Sequence, residues 1–440
     1  MNLFTDSVKK IYAKYLSAAL GSSIIVSIYS TVDAVVVGQY EGPDGSAALS
    51  CIMPMWSMFM SLGILIGIGA SILMSTARRN GNKRYGDEFF TAGMAAAGVL
   101  SCILVVLFLF YRDRFLMICG AEGKILTLAM SYTRWLTFAV PFFLIGNVFM
   151  AFVRNDNAPQ LATAAVICGG LINISGDIFF VFGLKWGIGG AGFSTAVSQV
   201  AACIILAGHA CSKSNGLRFV RMTLSELAAR LKRLAETGFA PFIVDFSFGI
   251  GVILFNNQIV RYAGTLDLAV YGAVINVSML FQSLFYGVGQ AVQPLISENN
   301  GAGKNGRIRG FLHFAFGTVA VMSIIFFALA ELLPERILCM YIKKTPEVLA
   351  ASPHIFRTYA VSFLLMGVNI VAGYCLQAVL RTAGSLAVSL LRGCILCSLF
   401  VLLLPAVFGY SAIWYTMPLT ELCTFAVTVV QLGKMKKSMR

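Results

Sequence analysis

Apolar runs long enough to matter recur from one end of the chain to the other, separated by short polar or glycine-rich stretches. A helix needs about 20 apolar residues to cross a bilayer. Twelve such segments can be placed, at roughly 15–38, 47–75, 89–111, 130–153, 159–182, 188–209, 238–262, 268–296, 309–333, 356–380, 384–408 and 410–432. They predict an all-α polytopic membrane protein with twelve transmembrane helices. The longest polar connection divides them six and six, which gives an N-terminal lobe over 1–212, a linker over 213–237 and a C-terminal lobe over 238–440. Within the linker, Thr223-Leu-Ser-Glu226 has the spacing of a capping box. Leu224, Leu227, Leu231 and Leu234 follow at helical spacing. An amphipathic cytoplasmic helix lying in the membrane interface is one reading; a solvated linker helix is the other.

The two sets of six share a grammar. In Phe281–Gly306 an apolar helix ends at Pro294-Leu-Ile-Ser297 and gives way to a glycine-rich basic loop. Gly67, Gly69, Asn80, Gly81 and Gly86 anticipate Gly287, Gly289, Asn300, Gly301 and Gly306 about 220 residues earlier. At nearly the same offset, Tyr132, Gly146, Ala151 and Arg154 pair with Tyr359, Gly373, Ala378 and Arg381. Two ordered sets at nearly one spacing point to a duplicated half and two pseudo-symmetric lobes.

Composition agrees. The 440 residues are 58% hydrophobic and 12% charged, about half the charged share of a soluble domain. The net charge of +14 does not make a nucleic-acid surface, because the Lys and Arg sit between apolar runs. They concentrate on alternate connections, among them Lys9, Lys10, Lys14, Arg78, Lys83, Arg84, Arg218, Arg230, Lys304, Arg307, Lys434 and Lys436. That bias places both termini in the cytoplasm. The eleven Cys are scattered, and Cys394-Ile-Leu-Cys397 reads as packing within an apolar segment. The short polar N-terminus does not read as a cleavable signal.

Polar groups within the spans carry the chemistry. A carboxylate at a helix centre costs ~2.5–3.5 kcal/mol on insertion scales, so its default reading is functional. Asp33 lies late in the first segment and Asp177 in the fifth, four residues after Asn173 and on the same helix face. Asp245 lies in the seventh and Glu421 in the twelfth, where Glu421 reads as a helix contact. The competing reading is a carboxylate that only hydrogen-bonds a neighbouring helix. Asp, Asn and Thr oxygens in a dry site can ligate a small hard cation such as sodium, or hold a proton. Enzyme signatures fail. Gly301-Ala-Gly-Lys304 is followed by Asn305 rather than the Ser or Thr of a phosphate loop. His209, His313 and His354 stand apart with no HExxH. Met53, Met60, Met279, Phe281 and Tyr286 are candidates for a pocket accepting varied shapes, with core or lipid-facing packing as the alternative.

Asp33 with Gly38, Gly67-x-Gly69, Asn173-x-x-x-Asp177, and Gly287-Val-Gly-Gln-Ala-Val-Gln-Pro-Leu-Ile-Ser297 before Asn300-Gly-Ala-Gly303 together resemble the multidrug and toxic compound extrusion (MATE) transporters. The resemblance covers nearly the whole chain and is to bacterial multidrug export members. It implies two six-helix bundles around a central cavity, alternating access, and exchange of cationic amphipathic drugs for sodium ions or protons. No other cofactor and no nucleic acid are expected; the partners are small cationic drugs and the bilayer, and a monomer fits. The resemblance further implies a cation site of Asp33, Asn173, Asp177 and Thr195, the last in Gly192-Phe-Ser-Thr-Ala196. Some relatives carry an acidic pair in the C-lobe. Asp245 resembles its first member, but Asn369 stands where the second carboxylate is expected, so a second site there is incomplete. The implied location is the inner membrane of a bacterium. The alternative is a lipid-linked precursor flippase, which would need several free arginines for a pyrophosphate headgroup, against Arg134, Arg357 and Arg392 here.

Overall fold

The computed structural model describes residues 6–156, 158–212 and 215–438, without the side chains of Ser22, Ile25, Val26, Tyr29, Ser30, Arg79 and Ser438. Lys213, which opens the linker defined from the sequence, lies outside the described residues. The first half contains α1 (Val8–Tyr40), α2 (Pro43–Arg79), α3 (Lys83–Ile118), α4 (Gly123–Asn155), α5 (Pro159–Asp177) and α6 (Gly187–Ala207). The second contains α7 (Leu224–Ala263), α8 (Thr265–Gly301), α9 (Asn305–Leu332), the short α10 (Pro334–Tyr341), α11 (Pro346–Ala360) and α12 (Phe363–Ala378). It closes with α13 (Thr382–Leu390), α14 (Leu396–Phe408) and α15 (Thr416–Ser438). No strand occurs among the described residues. In hydrocarbon each backbone N–H and C=O must be satisfied within the chain, which a helix does locally. Ten described helices are long and apolar enough to cross a membrane, or eleven if α11 and α12, bent by 43°, form one span. The 33-residue α1 stands beside them.

The order repeats. α2 and α8 are each 37 residues long. The fifth helix of each half carries a π-helical turn, Ile178–Gly183 after α5 and Leu391–Ile395 between α13 and α14. Such turns insert one residue into the helical ladder and are frequent at functional sites.

The helices form two compact units, one of residues 48–253 and one of 1–47 with 254–440. The first helix therefore groups with the second half, and most of α7 with the first. In the 48–253 unit, Ile66, Met74, Phe89, Phe90, Val148, Phe152, Leu217 and Leu234 make a continuous core. α2 and α7 cross at backbone contact. A Cβ on Gly69 would collide with the Leu234 carbonyl, and one on Gly238 with the Leu65 carbonyl.

The capping box forms as the sequence predicts: Glu226 Oε2 accepts from Thr223 N at 2.7 Å and Thr223 Oγ1 from Glu226 N at 3.3 Å. The helix it starts is not a separate interfacial element, however. It continues through Gly238 as the 40-residue α7, because neither Gly238 nor Pro241 breaks it and Leu234 is anchored in the core. The residues before it are fastened to the same unit. Arg78 bonds Asp156, Asp87 and the Gly216 carbonyl, each at 2.7 Å. Asp156 also takes Gly216 N at 2.7 Å and lies 2.9 Å from His209 Nε2.

In the other unit α1 packs along α8, where Ser27 bonds Ser283. Gly38 is required near the end of α1, since a Cβ there would strike the Tyr341 carbonyl. Gln39 Nε2 donates to the Cys339 carbonyl at 2.8 Å beside it. Phe281 stacks on Phe326 at 4.1 Å and is buried. It is core packing rather than pocket lining, because its side chain points from α8 toward α9 and α12.

Candidate coupling site

Three of the four residues in the implied cation site come together on α5 and α6. Asn173 and Asp177 are one turn apart on α5, and Asn173 Nδ2 donates to Asp177 Oδ1 at 3.4 Å. The same nitrogen donates to Thr195 Oγ1 at 3.1 Å and approaches Ser194 Oγ at 3.5 Å. Ser194 Oγ donates back to the Asn173 carbonyl at 2.8 Å, and Ser198 Oγ to the Thr195 carbonyl at 2.8 Å. From α4, Tyr132 OH lies 3.3 Å from Thr195 Oγ1. Asp177 is 0% exposed, and Asn173, Ser194, Thr195 and Ser198 are buried with it.

Two glycines let the helices meet this closely. A Cβ on Gly176 would collide with Ser194, and one on Gly192 with the Tyr132 carbonyl. Asp177 then opens the π-helical turn Ile178–Gly183. The carboxylate thus sits at an irregularity of its helix, ringed by neutral side-chain oxygens and one amide. Side-chain amides can present nitrogen or oxygen to the same place. With its oxygen turned inward, Asn173 would join Asp177, Ser194 and Thr195 as hard oxygen donors suited to a small cation. With the nitrogen inward, the cluster suits a carboxyl group satisfied by hydrogen bonds. Among the described residues there is no group of three or more His, Cys, Asp or Glu arranged for a metal.

Asp33 lies half-buried on α1, in the other compact unit. Asp245 and Asn369 also fall in different units. Asp245 Oδ2 has no hydrogen-bond partner among the described residues, while its carbonyl accepts from Ser57 Oγ at 2.8 Å. The carboxylate that Asn369 binds is Glu421, with Nδ2 2.7 Å from Oε2, and Thr428 Oγ1 holds the Asn369 oxygen at 2.8 Å. Glu421 also pairs with Arg392. It is thus more than the simple helix contact expected, and the pairing of Arg392 with it was not read, because nothing in the sequence around Arg392 marks its partner. Ser194 and Ser198 were missed too, although Ser194 stands inside the Gly192-Phe-Ser-Thr-Ala196 stretch already singled out. Among the proposed pocket residues, Met60 and Tyr286 are exposed, and Met53 and Met279 half-buried.

With this geometry in hand, comparison with known proteins gives a consistent picture. The MatE family model matches the chain twice, over residues 18–179 and 241–403. The chain belongs to the MatE family. The two matches fall on the two halves of the helix repeat, and the first ends just past Asp177. Multidrug export protein MepA of Staphylococcus aureus (strain MSSA476) is 22% identical over 411 residues, covering 93% of this MatE chain and 90% of the relative. MepA of Staphylococcus saprophyticus is 22% identical over 415 residues, with the same coverage. Among solved structures, an inward-facing MATE family multidrug resistance transporter of the MOP superfamily has a TM-score of 0.84 at 18% identity, covering 94% of each chain. The MATE multidrug transporter DinF-BH, solved in complex with a ligand, has a TM-score of 0.78 at 25% identity, covering 98% of this chain and 96% of that one. The MatE chain is therefore a member of a transporter family, not an enzyme.

Proposed function

We propose that this MatE protein is a secondary active multidrug antiporter, expelling cationic amphipathic drugs by alternating access in exchange for sodium ions or protons. The observation that carries the reading is the Asp177 carboxylate at 0% exposure, gripped by Asn173 and grouped with Ser194 and Thr195. Holding a carboxyl group at that depth is costly unless a proton or a cation visits it. Such a visit changes the net charge of the unit, which gives an ion gradient something to act on. For transport to follow, ion and drug must favour different states of the protein. The MepA relatives, named as multidrug export proteins, and DinF-BH, described as a multidrug transporter and solved with a ligand, support drugs as the cargo. We place the protein in a bacterial plasma membrane with both termini in the cytoplasm, acting as a monomer, with Asp33 as a second participant in coupling.

Two of the three arginines weighed for the flippase alternative are ion-paired among the described residues. Arg392 is paired with Glu421, Arg357 with Glu331 at 3.6 Å, and Arg134 lies over the Trp135 ring. The test uses the full chain in proteoliposomes loaded with ethidium, with an imposed sodium or pH gradient. Gradient-dependent efflux that disappears in Asp177→Asn is expected. Absence of ethidium transport in the native protein under either gradient would overturn the reading.

A further inference from the structure

The start of α9 is fastened to the start of α1. Arg307 Nη2 donates to the Asp6 carbonyl at 2.7 Å. Further along, a Cβ on Gly310 would come within 3.2 Å of the Val8 side chain. Tyr12 stacks on Phe314 at 6.0 Å and donates to Thr318 Oγ1 at 3.0 Å. Positions 6, 8 and 12 thus meet 307, 310 and 314 in the same order, so the two helices run parallel here. In parallel right-handed helices, the residue after a contact on one and the residue before it on the other turn to the same side. Lys9 follows Val8, Arg309 precedes Gly310, and both are exposed. His313 lies one turn beyond Arg309 on that side and is exposed as well.

Beyond these side chains a groove of about 370 Å³ opens along α9, lined by His313, Phe314, Gly317, Thr318, Val321 and Met322. Each successive turn contributes two residues, so the groove follows the helix. From His313 to Met322 the helix rises about 14 Å, close to the depth of one leaflet of a hydrocarbon core about 30 Å thick. Gly317 makes the floor, and a Cβ there would meet nothing within 4 Å among the described residues. The Thr318 hydroxyl in the wall is already used: it accepts from Tyr12 and donates to the Phe314 carbonyl at 2.9 Å. The rest of the lining past His313 is apolar, and the Met322 thioether adapts to a flexible chain. The groove is therefore cationic at one end and apolar along its length.

We propose that this groove beside the α1–α9 contact is a binding site for one anionic phospholipid. The lipid phosphate lies between Lys9 and Arg309 and takes the His313 ring N–H, and one acyl chain runs along the groove from Gly317 to Met322. Lys and Arg give charge-assisted hydrogen bonds to phosphate oxygens, and basic pockets between transmembrane helices suit lipid headgroups. Charge decides among the occupants. A cationic amphipathic drug would meet two like charges at the mouth. A zwitterionic lipid brings a cation of its own to the same place. A lipid such as phosphatidylglycerol, whose headgroup charge is the phosphate alone, matches both the basic end and the apolar length. Bound there, it bridges Lys9 on α1 to Arg309 on α9 and reinforces the grouping of the first helix with the second half.

The experiment uses the purified full chain in detergent, with phosphatidylglycerol or phosphatidylcholine added. Native mass spectrometry counts the bound lipid and a melting curve follows stability. The native protein is expected to hold phosphatidylglycerol in preference and to melt at a higher temperature with it. K9Q/R309Q removes both charges, and the preference should fall about tenfold or more. G317L fills the groove without striking a neighbour, and should hold less of either lipid. Without lipid it should melt no lower than native, since Leu is the better helix former. No preference in the native protein overturns the proposal, as does equal phosphatidylglycerol binding in native and G317L. An unchanged preference in K9Q/R309Q overturns it too. Inorganic phosphate that raises the melting temperature as much as phosphatidylglycerol would also overturn it, because the site then takes a free anion. Should K9Q/R309Q not accumulate, G317L alone decides. None of these outcomes is read from transport, so they stand apart from the antiport reading.

Discussion

Asn173 Nδ2 lies 3.1 Å from Thr195 Oγ1, and this one bond ties α5 to α6 a single turn before the Asp177 carboxylate. Tyr132 reaches the same hydroxyl from α4 at 3.3 Å. Thr195 thus joins three helices at the candidate site, so a change in what Asp177 holds is felt on all three. An ion bound by one carboxylate can in this way bias the packing of a whole bundle.

The first prediction concerns Asp177. Asp177→Asn keeps the size and a hydrogen-bonding oxygen but removes the group that binds a proton or cation. Gradient-driven ethidium efflux is expected to fall about tenfold or more, with the protein still present in the membrane at native abundance. Native efflux in this variant would remove Asp177 from the mechanism.

Thr195→Val tests the oxygen cluster rather than the carboxylate. The variant retains the packing volume and loses the hydroxyl that Asn173 and Tyr132 share. The concentration of driving ion giving half-maximal efflux should rise severalfold, with the maximal rate much less affected. Equal half-maximal concentrations in variant and native protein would count against Thr195 as part of the site.

Asp33→Asn addresses the other compact unit. If Asp33 participates in coupling, drug resistance conferred on a sensitive host should be abolished while the protein still reaches the membrane. Full resistance would remove Asp33 from the mechanism.

Gly192→Ala is a packing experiment. The added methyl would meet the Tyr132 carbonyl and push α6 from α4, at about 1–3 kcal/mol for overpacking. A lower melting temperature and reduced efflux should appear together. A variant as stable as native would mean that the helices can separate there without penalty.

Arg78→Ala should loosen the inter-helix linker. Arg78 is the cation beside the buried Asp156 and also holds the Gly216 carbonyl. Removing one partner of such a pair leaves a charge unpaired, typically at about 3 kcal/mol. Limited proteolysis between residues 215 and 223 should become faster in detergent solution, and an unchanged cleavage rate would show that the Asp156 bond to Gly216 N and the burial of Leu217 hold the segment without Arg78.

The membrane spans, the duplication and the family-type residues on α5 and α6 could all be read from the chain. Hydropathy is a local property, a helix satisfies its own backbone, and Asn173 and Asp177 share a face by spacing alone. The start of α7 was equally legible in Thr223 and Glu226, because a capping box closes within one turn. Its continuation past Gly238 was not, since that depends on the fit against Leu65 and the burial of Leu234. Tertiary structure alone decided which polar groups meet. Asn369 and Glu421 are separated by 52 residues and Arg392 and Glu421 by 29, and no helical periodicity relates positions on different helices. It likewise decided that Phe281 is core and Tyr286 exposed, though both lie on α8. Burial is set by what packs against a face, and a helix carries no record of its neighbours.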